Sequence, residues 1–284
     1  MFNSIVSMRY ERQVLINHIM KYFSNLTTLM MMLFLSFAFV SCDDNDGEGG
    51  SGGGARMRPT SILFSSEGDY GTNGQWWTLF GDIQYNSGLQ VSSYKDFGFT
   101  DNEYWIVRFS YNSNSILKEI EYEDGKTSTV SYVVNNGLIT QEKDGGVTYR
   151  YSYSNNHMTS GRDSSTEEKL VWEDGVVTEE LGDSWAINYI YSQIPTNLWL
   201  GAFFDYPDPY NDIDGALVMQ GYFGTVPAYL LGSCEKTSSF YGKRSTKYEY
   251  ELNTNGYPTL VTITTENGSG YKDVVRFKIN WENY

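Results

Sequence analysis

Apolar and polar residues alternate in short runs along the chain. Trp105, Val107, Phe109 and Tyr111 interleave with Tyr104, Ile106, Arg108 and Ser110. Val147, Tyr149, Tyr151 and Tyr153 interleave with Thr148, Arg150 and Ser152, and Tyr248, Tyr250 and Leu252 with Lys247, Glu249 and Glu251. A period of two places one set on a buried face and the other toward water, as in half-buried strands. The runs are separated by Asp124-Gly125, Asn136-Gly137, Asp144-Gly145, Asp174-Gly175, Asn255-Gly256 and Asn267-Gly268. Asx-Gly pairs supply the positive φ values of tight hairpin turns. Tyr111, Tyr132, Tyr153, Trp172 and Tyr191 close successive runs at spacings of 21, 21, 19 and 19 residues. A period of about 20 residues signals a repeated supersecondary unit, here a hairpin. The pattern predicts an all-β, antiparallel meander of hairpin repeats forming a curved sheet or a water-soluble half-barrel.

The rhythm breaks over residues 192–236. Leu198, Leu200, Ala202 and Phe203 suit one short helix, and Leu217, Tyr222 and Leu230 suit the flanks of another. This stretch is expected to be a partly helical connection covering an apolar face or the mouth of the half-barrel.

A different signal precedes the strands. From Leu26 to Val40 the chain has 15 uncharged residues, short of the roughly 20 that a spanning helix needs and matched to a signal-peptide core. The run ends Val40-Ser41-Cys42, which resembles a bacterial lipobox, although Phe39 departs from the usual leucine. Cys42 is therefore the expected lipidation site. The following Asp43-Asp44-Asn45-Asp46-Gly47-Glu48 resembles the acidic export signal of surface lipoproteins, with a Gly/Ser tether after it. The expected layout is an over-called start over 1–19, a lipoprotein signal peptide over 20–41, a flexible acidic Gly-rich tether over 42–58, and a single all-β domain over 59–284. The expected location is the outer membrane, surface-exposed.

The net charge of the whole chain is −15. Removing the segment before Cys42 takes away Arg9, Arg12, Lys21 and Glu11, which makes it −17. Such a surface repels nucleic acid and anionic lipid headgroups, leaving the lipid anchor as the membrane contact. With Cys42 acylated, Cys234 has no partner for a disulfide.

The units "YSYSNNHMTS", "VWEDGVVTEEL", "YIYSQIPTN" and "YEYELNTNGYPTLVTIT", together with the lipobox, resemble a bacterial surface lipoprotein family of unknown function with a porin-like fold. The resemblance spans roughly residues 60–284, and the hairpins are also similar to the tyrosine-aspartate repeats of secreted toxin shells. It implies an architecture and no activity, so no functional residue follows from it. A lipid-facing barrel is not expected. Arg108, Lys118, Arg150, Lys247, Glu249, Arg276 and Lys278 fall opposite the aromatic positions, and each lipid-facing Arg or Lys near the midplane costs about 2–4 kcal/mol.

Candidate chemistry is sparse. His157, the one histidine after Cys42, reads as a solvated turn residue and Cys234 as a small buried hydrophobe. Asp208, Asp212 and Asp214 offer oxygen ligands for calcium without EF-hand spacing. Trp105, Trp172 and Trp281 fall in phase with buried positions. Trp76 and Trp77 are adjacent, so one must face away from the core, and with Trp199 they are the candidates for stacking on a sugar ring. No catalytic residue and no cofactor is expected. The reading is a membrane-tethered binding or scaffold module with a glycan or protein partner. A glycosidase-type enzyme and a purely structural module, whose free sheet edge pairs with a partner strand, stay open as alternatives.

Overall fold

The computed structural model describes residues 57–67, 74–97, 104–163, 166–196, 213–240 and 242–283. The expected all-β character is present. The strands are β1 (Met57–Ser66), β2 (Trp77–Tyr85), β3 (Val91–Asp96), β4 (Trp105–Asn112), β5 (Ser115–Glu121), β6 (Thr127–Asn135), β7 (Leu138–Asp144) and β8 (Val147–Ser154). They continue as β9 (His157–Arg162), β10 (Glu167–Glu173), β11 (Val176–Leu181), β12 (Trp185–Pro195), β13 (Tyr229–Ser238), β14 (Gly242–Leu252), β15 (Pro258–Asn267) and β16 (Lys272–Asn283). Among the described residues one short helix, α1 (Gly215–Met219), lies between β12 and β13.

Neighbours in sequence are neighbours in the sheet, all antiparallel, and β1 pairs with β16 to close a barrel. This corrects the expectation of a curved sheet or an open half-barrel. The seam is a full ladder from Met57↔Asn283 to Ser66↔Val275, with one irregularity between Pro59 and Ser61. Closure removes the free edges on which partner-strand addition depends, so that form of the interaction-module reading falls.

Alternation decides what faces inward. Every strand sends at least one buried apolar side chain into a single cluster: Phe64 from β1, Phe109 from β4, Tyr132 from β6, Val177 from β11, Val261 from β15 and Phe277 from β16 are examples. The barrel thus encloses a packed core. The outer face is polar. Arg108, Arg150, Lys247, Glu249 and Lys278 are exposed on it, and Arg108 bridges β4 to β5 through Glu121 at 2.7 Å. Strand length does not itself exclude a lipid-crossing barrel, since β12, β14 and β16 run to 11, 11 and 12 residues. The outward charges are what oppose it, at about 2–4 kcal/mol for each cation placed at a bilayer midplane.

The turns refine the Asx-Gly reading. Both central residues have positive φ at Asn136-Gly137 and Asp174-Gly175, and also at Asn155-Asn156, which has no glycine. Asparagine tolerates the left-handed region because its short amide bonds locally. In the β15–β16 connection Gly270, not Gly268, takes the positive φ. There the Asn267 side chain accepts from the backbone N–H groups of Ser269 and Tyr271 at 3.1 Å each.

Candidate functional site

The two mouths of the barrel are built differently. One is formed by the ends of the even-numbered strands. Here inward aromatic residues donate to a carbonyl near the start of the preceding strand: Tyr111 to Val91 at 2.8 Å, Tyr153 to Ile139 at 2.5 Å and Trp172 to Met158 at 2.7 Å. Tyr250 to Leu231 and Trp281 to Pro258, both at 2.8 Å, are built the same way, and Tyr85 reaches Pro59 at 3.2 Å. Tyr132 is buried outright, and Tyr191 packs against the core. A ring near a strand end leaves its polar tip within reach of the neighbouring strand, so one residue fills the core and satisfies a carbonyl.

The described part of the connection from β12 to β13, residues 213–228, packs into this mouth. Ile213, Ala216, Leu217, Val218 and Phe223 are buried against the inner wall. Phe223 meets Tyr151 edge-on, with centroids 5.0 Å apart. Asp214 caps α1 by accepting from the Ala216 N–H at 3.0 Å, and it accepts from the Lys118 ammonium of β5 at 2.7 Å. Gln220 donates to the Tyr111 hydroxyl and Gln90 to the Tyr222 hydroxyl, both at 2.8 Å. Gly224 forms a bridge with His157 at φ +86°, and a Cβ there would lie 2.2 Å from the Asn156 carbonyl oxygen. Only glycine fits that approach.

Several charged groups lie in the interior beneath this cap. Asp96, Lys118, Glu142 and Asp214 are all buried. Lys118 was expected on the outer face. It points inward in phase with Ile116 and Ile120, and Asp214 supplies the opposite charge that makes this tolerable. Burial lowers the pKa of Lys118, but Asp214, helped by Glu142 and Asp96, outweighs it and the net shift is upward. Burial pushes the Glu142 carboxyl up to about 7, against the hydrogen bond from Tyr151 and the pull of Lys118. The Tyr151 hydroxyl reaches Glu142 at 2.8 Å. On β11, Glu180, also buried, accepts from Tyr189 of β12.

At the opposite mouth, two half-buried rings of the last inward layer border a shallow pocket. This pocket, of about 460 Å³, is lined by Trp105, Tyr122, Glu123, Asp124, Lys126 and Thr127. Trp105 opens β4 and Tyr122 follows β5, and their rings meet edge-on with centroids 5.6 Å apart. The Tyr122 hydroxyl is 2.9 Å from Ser128 Oγ, and Lys126 pairs with Asp124. Among the described residues, no carbonyl holds the Trp105 indole. Trp76, 42% exposed, belongs to the same rim, as does Phe240 at 79%. A larger groove of about 750 Å³ crosses the outer face of β12–β15 between Asn188, Ile190, Ser233, Lys247, Glu249 and Glu266. It has no aromatic ring, and its charges are paired: Lys247 with Glu249 and Lys272 with Glu266, both at 2.9 Å, and Glu235 with Lys243.

The residues expected from sequence distribute as follows. Trp76 is exposed at the rim and Trp77 is half-buried at the start of β2. Cys42, Trp199, Asp208 and Asp212 lie outside the described residues, as does the helix expected over Leu198–Phe203. Both Asp214 oxygens are engaged, by Lys118 and the Ala216 N–H. His157 is not a solvated turn residue. It opens β9, half-buried, with its ring 4.3 Å from that of Trp172. Cys234 is buried beside the Tyr248 hydroxyl at 3.4 Å, and burial pushes its thiol up to about 12, which makes it inert. The Trp105–Tyr122 pair was missed as a site because its inward phase reads as core. Its position at the last inward layer before the turn was the available signal.

No family model matches the chain, and no curated protein matches it. Among solved structures it is similar to a porin-like protein from Bacteroides uniformis, with a TM-score of 0.53 and 16% identity over 78% of this chain and 96% of that one. It also matches a porin-like protein from Bacteroides vulgatus, with a TM-score of 0.49 and 13% identity over 79% and 99% of the two chains. The first likeness supports the porin-like fold and, at that identity, the fold alone.

Proposed function

We propose that this chain is a membrane-tethered surface lipoprotein whose barrel serves as a binding or scaffold module and not as a pore. The observation that carries this reading is the combination of a filled interior with a charged exterior. A porin needs a wet lumen and an apolar outer band. Here inward side chains from every strand join one core, and Arg108, Arg150, Lys247 and Lys278 stand outward. The charge-free run ending Val40-Ser41-Cys42 supports a lipid anchor in the outer membrane in place of a spanning wall. Fractionation tests the anchor. The wild-type chain sediments with membranes and Cys42→Ser is released. A Cys42→Ser chain that stays in the membrane fraction contradicts the reading, as does stepwise ion conductance from the purified protein in planar bilayers.

A further inference from the structure

We propose that the mouth pocket of Trp105 and Tyr122 binds a pyranose ring of a neutral glycan. This rests on the binding-module reading and names the ligand class and the residues. The pocket, of about 460 Å³, is shallow and widely open to solvent, so it suits one face of a ring at the end of a chain, and barrel mouths are among the preferred places of small-ligand sites. Its chemistry is that of an amphipathic ligand. Trp105 and Tyr122 are inclined at 71° to one another, so one can pack against the C–H face of a sugar while the other flanks its edge. Glu123, Asp124, Lys126 and Thr127 surround the rings with the donors and acceptors that hydroxyl groups require.

Charge narrows the class. The chain carries −15 overall, and two carboxylates stand at the pocket against one ammonium that is already paired with Asp124. Acidic polysaccharides are therefore repelled and neutral ones are not. The comparison with the other mouth supports a free role for these rings. There the tips of Tyr111, Tyr153 and Trp172 are tied to backbone carbonyls, whereas the Trp105 indole has no such tie among the described residues.

The experiment is titration of the full chain carrying Cys42→Ser, followed by tryptophan fluorescence and calorimetry. The probes are cellohexaose, maltohexaose, N-acetylchitohexaose and, as the acidic arm, polygalacturonate. The expected result is saturable binding of at least one neutral oligosaccharide. Trp105→Ala weakens it tenfold or more. Lys126→Ala, at an exposed turn that does not threaten the fold, weakens it several-fold. Lys247→Ala in the outer groove leaves it unchanged. Neutral-glycan binding that survives both pocket variants overturns the assignment while leaving the binding-module reading intact. Binding of polygalacturonate alone, or of none of the four, overturns the ligand class. The tether reading stands or falls separately on fractionation of Cys42→Ser.

Discussion

The Lys118 ammonium sits 2.7 Å from the Asp214 carboxylate, across 96 residues of sequence and inside the barrel wall. It joins the middle of β5 to the N-cap of α1, and so fastens the segment that packs into one mouth. Removing one partner of a buried pair strands the other charge, at a cost of about 3–5 kcal/mol, while a neutral pair of similar shape is far better tolerated. Lys118→Met is expected to lower the melting temperature sharply. Lys118→Met with Asp214→Asn, which keeps an acceptor for the Ala216 N–H, should recover most of the loss. Differential scanning calorimetry of the two variants checks this.

The carbonyl-bound aromatics make a graded prediction. Trp172→Phe keeps a smaller aromatic ring but leaves the Met158 carbonyl without its indole donor, at about 1–3 kcal/mol for a buried unsatisfied group. Tyr151→Ala removes a buried ring whose edge faces Phe223, at about 3–5 kcal/mol. Arg150→Ala, one residue away on the outer face, should stay within about 0.5 kcal/mol. Urea denaturation of the three variants orders them. Equal losses at positions 150 and 151 would mean that both faces of β8 are buried.

Stability should fall as pH rises from the ordinary glutamate range toward neutrality. The Glu142 carboxyl is shifted up to about 7 in the folded protein, from 4.5. Between those values the folded state binds more protons than the unfolded chain. Its contribution is thus fully present below about 4.5 and lost as pH climbs through 7. Melting temperatures across this window should decline for the wild type and flatten for Glu142→Gln, whose amide stays uncharged. A wild-type curve that rises across the window, or a Glu142→Gln curve that keeps the decline, contradicts the assignment.

Much of this fold was legible because alternation is local. The runs around Trp105–Tyr111, Val147–Tyr153 and Tyr248–Leu252 each became a strand with buried or half-buried residues in the expected phase, except that Val147 and Leu252, at strand ends, are exposed. Closure was not legible, because nothing within ten residues of Pro59 shows that it will pair with Trp281. Lys118 was misplaced for a related reason. In "SILKEIEY" its phase with Ile116 and Ile120 marks it as inward, but a lysine is expected outside unless a partner is known, and Asp214 is distant in sequence. His157 was placed in a turn because "SNNHM" contains two asparagines. The turn needs only those two, and the strand starts at the histidine.

The β1–β16 seam is the feature on which the rest depends, and its most direct test is a cross-link. Ser61 and Asn280 face outward, directly opposed across the seam, with the Asn280 amide 2.8 Å from the Ser61 hydroxyl. Directly opposed strand residues have Cβ atoms about 4.5–5.5 Å apart, close to the spacing a disulfide spans. Ser61→Cys with Asn280→Cys, in a Cys42→Ser background that leaves only the buried Cys234, should form an intramolecular disulfide on mild oxidation. Mass spectrometry and the mobility of the unreduced monomer report it. A closed barrel predicts near-complete cross-linking within one chain. Two thiols that stay free, or disulfides that form only between chains, would mean that the sheet is open.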